Sequence, residues 1–156
     1  MGHYNKKKEP ISKFSSNRKE VRARENPNSI YGKNPSWSFS AYDKEGRWAF
    51  SKDRLSGEFW DYILPKLCEF EKMAWGSILL DGKKFHHHIT VSDFNKCAID
   101  RLMEIGVFEE ELLSLRLGGN LRLYGYLVES TYVILWYDND HGDNNTCVCR
   151  SYKKHT

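Results

Sequence analysis

Leu112-Leu113-Ser114-Leu115-Arg116-Leu117-Gly118-Gly119-Asn120-Leu121-Arg122-Leu123-Tyr124 reads as two strands around one turn, and its register can be tested from the side-chain pattern. A two-residue loop would set Leu115 against Arg122 and Arg116 against Leu121, mixing polar and apolar on both faces. A three-residue loop pairs Leu117 with Leu121, Leu115 with Leu123, Arg116 with Arg122 and Ser114 with Tyr124. One face is then apolar and the other polar, so this register is the expected one. It places two arginines directly opposite each other. Like charges so placed disfavour pairing by something within the ~0.2–1 kcal/mol range of cross-strand pairs. Either a nearby carboxylate neutralises the pair, or the pair marks an anion site.

Moving outward, Tyr132-Val133-Ile134-Leu135-Trp136-Tyr137 is an almost continuous apolar strand, as expected for one that is central or covered on both faces. The turn before it, around Glu129-Ser130-Thr131, fits a loop of either two or three residues. In both cases the loop Asp138-Asn139-Asp140-His141-Gly142 leaves the sheet at the end that carries the arginines. His141 is therefore the expected general acid or base, since an imidazole titrates near neutral pH.

Toward the N-terminus, Trp37 to Tyr42 and Arg47 to Phe50 alternate like strands around Asp43-Lys44-Glu45-Gly46, which predicts a hairpin. Ser56 would cap a helix through Phe59, Trp60, Ile63, Leu64, Leu67 and Phe70, kinked or divided at Pro65. A second helical stretch is expected over Met73 to Leu80. A third would be capped by Asp93 and stopped by Gly106. Cys68 and Cys97 fall in helical patterns and read as small buried residues.

His86-His87-His88 leads into a short strand and admits three readings: a polar strand start, a nucleic-acid or catalytic contact, or a metal site. Alternation lets at most two of the imidazoles converge, so His87 or His88 would supply any second catalytic imidazole and no metal is assigned. Cys147-Val148-Cys149, with His141 and His155, could be grouped as zinc ligands, but structural sites favour two to four residues between paired cysteines. No cofactor is expected.

Charge is unevenly spread over the 156 residues. Residues 1–33 hold nine Lys or Arg against three acidic residues, and residues 34–149 hold twelve against eighteen. The first segment is expected to be a disordered basic arm, and residues 34–156 a single domain. Lys6, Lys7, Lys8, Arg18, Arg22 and Arg24 of the arm, with Lys153 and Lys154 near the other end, are candidate phosphate contacts. No run approaches the ~20 apolar residues of a membrane span and no signal-peptide pattern is seen, so a cytoplasmic protein with reduced thiols is expected.

The block Leu115-Arg116-Leu117-Gly118-Gly119-Asn120-Leu121-Arg122-Leu123-Tyr124-Gly125-Tyr126, followed by Val133 to Tyr137 and Asp138 to His141, resembles the C-terminal sheet of the RelE/ParE toxin superfamily. It is also similar to short bacterial proteins of unassigned function. The resemblance covers roughly the last third of the chain. It implies an α+β fold of the RelE/barnase-like kind, an antiparallel sheet with helices packed on one face, here joined by the hairpin and the arm. For the ribonucleolytic branch it implies a bacterial toxin, regulated by an antitoxin partner, that cleaves RNA, including messenger on the ribosome, without metal. Arg122 would then stabilise the phosphorane and His141 move a proton, with Arg116 and Tyr124 in support. His87 comes from the histidine triplet, which has no counterpart in that superfamily, and is a candidate on its own reading. The alternative is a non-enzymatic domain of the same fold that binds nucleic acid or protein.

Overall fold

The computed structural model describes residues 29–142 and 147–149. The expected arm contacts Lys6, Lys7, Lys8, Arg18, Arg22 and Arg24 lie outside these residues, as do Lys153, Lys154 and His155.

The chain is α+β, built on one five-stranded mixed sheet in the order β1-β5-β4-β3-β2. The strands are β1 (Ser36–Ser38), β2 (His87–Thr90), β3 (Glu111–Gly118), β4 (Leu121–Val128) and β5 (Thr131–Asp138). Among the described residues three α-helices accompany them: α1 (Lys52–Leu55), α2 (Leu64–Glu71) and α3 (Lys96–Glu104).

The meander β3-β4-β5 is antiparallel, and Arg116 does stand opposite Arg122, with Leu115 against Leu123 and Ser114 against Tyr124. The turn itself is tighter than expected. Gly118 pairs with Leu121, and a bulge between Arg116 and Gly118 restores the facing pattern. Gly118 and Gly119 supply the positive φ this requires, at 144° and 49°. The second turn has two residues, because Val128 pairs with Thr131. Glu129 holds a φ of 54° there, a conformation usually left to glycine or asparagine.

The expected N-terminal hairpin does not form. Trp37 instead sits in β1, which runs parallel to β5 with Ser36 opposite Thr131 and Ser38 opposite Val133. The chain then continues along β5. The Asp43 N–H donates to the Leu135 carbonyl and the Tyr137 N–H to the Trp48 carbonyl, both at 3.0 Å. Pairing with β5 satisfies more buried backbone than an isolated ribbon could, and it drives the two tryptophans into separate clusters. The sheet is accordingly mixed and not purely antiparallel.

Helices cover both faces, which corrects the expectation of a single covered face. On one face Leu55, Ile63, Leu67, Phe70, Trp75 and Ile78 pack on Leu113, Leu115, Leu123, Tyr132, Ile134 and Tyr137. On the other, Trp48, Phe94, Ala98, Leu102, Val148 and Cys149 pack on Leu112, Tyr124, Leu135 and Trp136. A register shift between Tyr124 and Gly125 leaves Leu135 of β5 without a partner in β4 and places it with Trp136 in the same cluster, while Ile134 and Tyr137 join the other.

The helix boundaries differ from expectation in physical detail. Ser56, expected to open the helix through Phe59, instead closes α1, whose N-cap is Ser51 with its hydroxyl accepting from the Arg54 N–H at 3.4 Å. A π-helical turn over Phe59–Ile63 precedes α2, which begins where Pro65 can occupy the first turn without needing an N–H. The second stretch is a π-helical turn over Ser77–Asp81. Asp93 lies in a 3-10 turn, and Asn95 holds the cap position of α3. Ile30–Gly32 also forms a 3-10 turn, and the Trp75 N–H donates to the Lys33 carbonyl, so the folded body begins before residue 34. Cys68 and Cys97 are exposed, whereas Cys147 and Cys149 are buried.

Candidate functional site

Register gathers the expected residues at one end of one sheet face. Arg116 lies opposite Arg122, which lies opposite Asp138. One alternation further along, His87, Ser114, Tyr124 and Trp136 form the adjoining row. The loop after β5 folds onto the β3-β4 turn, where the His141 N–H donates to the Asn120 carbonyl at 3.4 Å.

Their accessibility divides them. Arg122, Tyr124, Asp138 and His141 are buried, at 7%, 0%, 0% and 6% exposure, beneath the second helical layer. Arg122 directs Nη1 at the Gly119 and Leu121 carbonyls, 2.7 and 3.0 Å away. It therefore holds the turn closed from within. Burial lowers its pKa, and Arg116 adds to this, while Tyr124 and Asp138 pull the other way. Burial raises the Tyr124 phenol well above its ordinary range. The Ser114 side chain lies beside that hydroxyl without completing a hydrogen bond.

Arg116 and His87 are only half-buried, so these two remain within a ligand's reach. Arg116 opens onto a cavity of about 280 Å³ at the seam between α2, the start of β2 and the β3-β4 turn, together with Lys66, Phe85, His86, Leu117 and Gly118. Its guanidinium carbon stands 5.3 Å from the Phe85 ring centroid. The Arg116 N–H donates to His86 Nδ1 at 3.1 Å. Burial pushes the His86 pKa down to about 4, helped by the positive charges of Lys66, His87, Arg122 and Arg116. The imidazole thus reports a positive field at this end of the sheet.

Sequence reasoning missed Lys66 and Phe85, and of the histidine triplet it favoured His87 or His88 over His86. The run Lys83-Lys84-Phe85-His86, basic and aromatic together, was the available signal for Phe85 and His86. Nothing local singles out Lys66, which reaches the seam through the packing of α2. His88 turns to the opposite face and pairs with Glu111 at 3.3 Å. Among the described residues no group of three or more His, Cys, Asp or Glu is placed to hold a metal ion. A larger hollow of about 440 Å³ has the wrong sign for a polyanion, being lined by Glu109, Glu110 and Glu111 with Thr90 and Phe108. No helix among the described residues is long and apolar enough to cross a membrane.

Compared with protein-family models, curated proteins and solved structures, the chain matches none.

Proposed function

We propose that this chain is an RNA-directed protein of RelE-like organisation, a cytoplasmic bacterial toxin that cleaves RNA without metal and is restrained by an antitoxin protein. The observation that carries the reading is the opposed pair Arg116 and Arg122, with Lys66 and His87 close enough to act on the same His86 imidazole. Arg116 is the member of that pair a phosphate can reach, and an anion beside it offsets its repulsion with the buried Arg122.

Cleavage would use the substrate's own 2′-hydroxyl, which attacks the adjacent phosphorus and expels the 5′-oxygen. Arg116, the accessible guanidinium, meets the charge that develops on the phosphoryl oxygens. His87 is the reachable imidazole for a proton, a contribution of about 10²–10⁴-fold. Arg122, Tyr124 and His141 support this face from beneath. The basic segment before residue 29 and Lys153 and Lys154 would add phosphate contacts along a longer strand. An antitoxin would cover exposed aromatic surface such as Trp60, Tyr62 and Phe39.

A second reading, a binder without catalysis, is favoured by the burial of Arg122, Tyr124 and His141. Expression of the wild type and an Arg116→Ala/His87→Ala double variant in bacteria tests both. Growth arrest with RNA loss, relieved by the double variant, supports the nuclease. Arrest without RNA loss, or RNA loss that persists in the variant, would refute the assigned chemistry.

A further inference from the structure

We infer that the cavity at the α2–β3 seam seats one nucleotide unit of single-stranded RNA, its phosphate between Lys66 and Arg116 and its base on Phe85. This rests on the RNA-directed reading above and names the contact through which it works. Size is the first argument. About 280 Å³ is just below the roughly 300–1,000 Å³ typical of small-ligand sites, a size that suits one nucleotide unit and not a duplex. Bases held in a duplex are also unavailable for stacking on a side chain.

The chemistry of the lining is the second argument. Phe85 is 48% exposed although large and apolar, and it presents ring surface beside the Arg116 guanidinium. Stacking on an aromatic side chain together with a nearby arginine is the general means of holding an unpaired base. His86 adds a fixed donor. Its Nδ1 accepts from the Arg116 backbone, so the neutral ring carries its hydrogen on Nε2. With the pKa at about 4, the ring stays neutral at physiological pH and offers an N–H without a charge.

Lys66 lies 3.0 Å from Glu69 in an exposed ion pair one turn along α2, which a phosphate can displace because such pairs are weak. No carboxylate lines the cavity itself. Gly118 forms part of the wall with open space where a side chain would stand.

The test is a set of titrations on the full chain with three probes: inorganic phosphate, adenosine 5′-monophosphate and a 2′-O-methylated single-stranded oligonucleotide that cannot be cleaved. The nucleotide should bind more tightly than phosphate. Phe85→Ala should weaken nucleotide and oligonucleotide about tenfold and leave phosphate unchanged. Arg116→Gln should weaken all three. Phe85→Leu reads the same loss with apolar bulk retained, should the alanine variant not fold, and Phe85→Tyr should keep wild-type affinity.

Equal affinity for phosphate and nucleotide, indifferent to Phe85, would overturn the base seat. Oligonucleotide binding unaffected by either substitution would overturn the pocket while sparing the RNA-directed reading. Nucleotide binding that depends on Phe85, without oligonucleotide binding, would overturn RNA as the source and with it that reading.

Discussion

Asp138 shows what burial does to a single carboxyl. Its oxygens accept from the Asp140 and Val148 N–H groups, both at 2.9 Å, yet burial still raises its pKa to about 6. In the unfolded chain the same group titrates near about 3.9. Between those two values the folded state binds the proton that the unfolded state has lost, so this group's effect is to lower stability as pH rises. The expected contribution is a loss of about 2 kcal/mol between pH 4 and pH 7, read from urea midpoints. Asp138→Asn should remove that slope. The pairing of Arg116 with Arg122 was legible in the sequence because alternation of polar and apolar residues admits few registers. The burial of Arg122 was not, because the layer on this face of the sheet comes from Phe94, Leu102 and Val148, distant in sequence and carrying no local sign of where they pack.

At the scale of elements, the meander was readable and its outer neighbours were not. β3, β4 and β5 follow one another through short turns, so their pairing is local. β1 meets β5 across 95 residues, with the Ser36 and Thr131 hydroxyls 2.7 Å apart, and no periodicity announces a partner that remote. The predicted hairpin had suitable turn residues but lost to this stronger alternative. Gly125 illustrates how tightly the central strands approach. A Cβ placed there would stand 2.1 Å from the Val133 carbonyl oxygen, a backbone atom that cannot turn aside. Gly125→Ala should therefore destabilise the protein by about 3 kcal/mol or more, measured by denaturant unfolding. Gly106→Ala, with open space around its Cβ, is the control, and it should show only the smaller effect of its positive φ.

Across the whole molecule, Asp43 ties regions that the sequence keeps far apart. Arg101 Nε and Nη2 donate to its two oxygens at 2.8 and 2.7 Å, and the Trp136 indole N–H donates to one of them at 2.9 Å. Burial alone would raise its pKa, but the hydrogen bonds from Arg101 and Trp136 outweigh that and lower it. The stability it supplies is present above its unfolded pKa and is lost in acid as pH falls through the depressed folded value. Asp43→Ala should cost about 3 kcal/mol at neutral pH, because it leaves a guanidinium and an indole without their acceptor. A shift in melting temperature at pH 7, shrinking in acid, checks this. Composition and turn chemistry marked Asp43 only as a loop residue, since its role depends on groups 58 and 93 positions away.

The parallel junction of β1 with β5 also sets a schedule for synthesis. Between Ser36 and Glu111 the described core residues pack largely on strands made after them, so they must wait, unsheltered, until those strands emerge. A nascent chain halted before Thr131 has no template for β1, whose place in the sheet exists only once β5 has emerged.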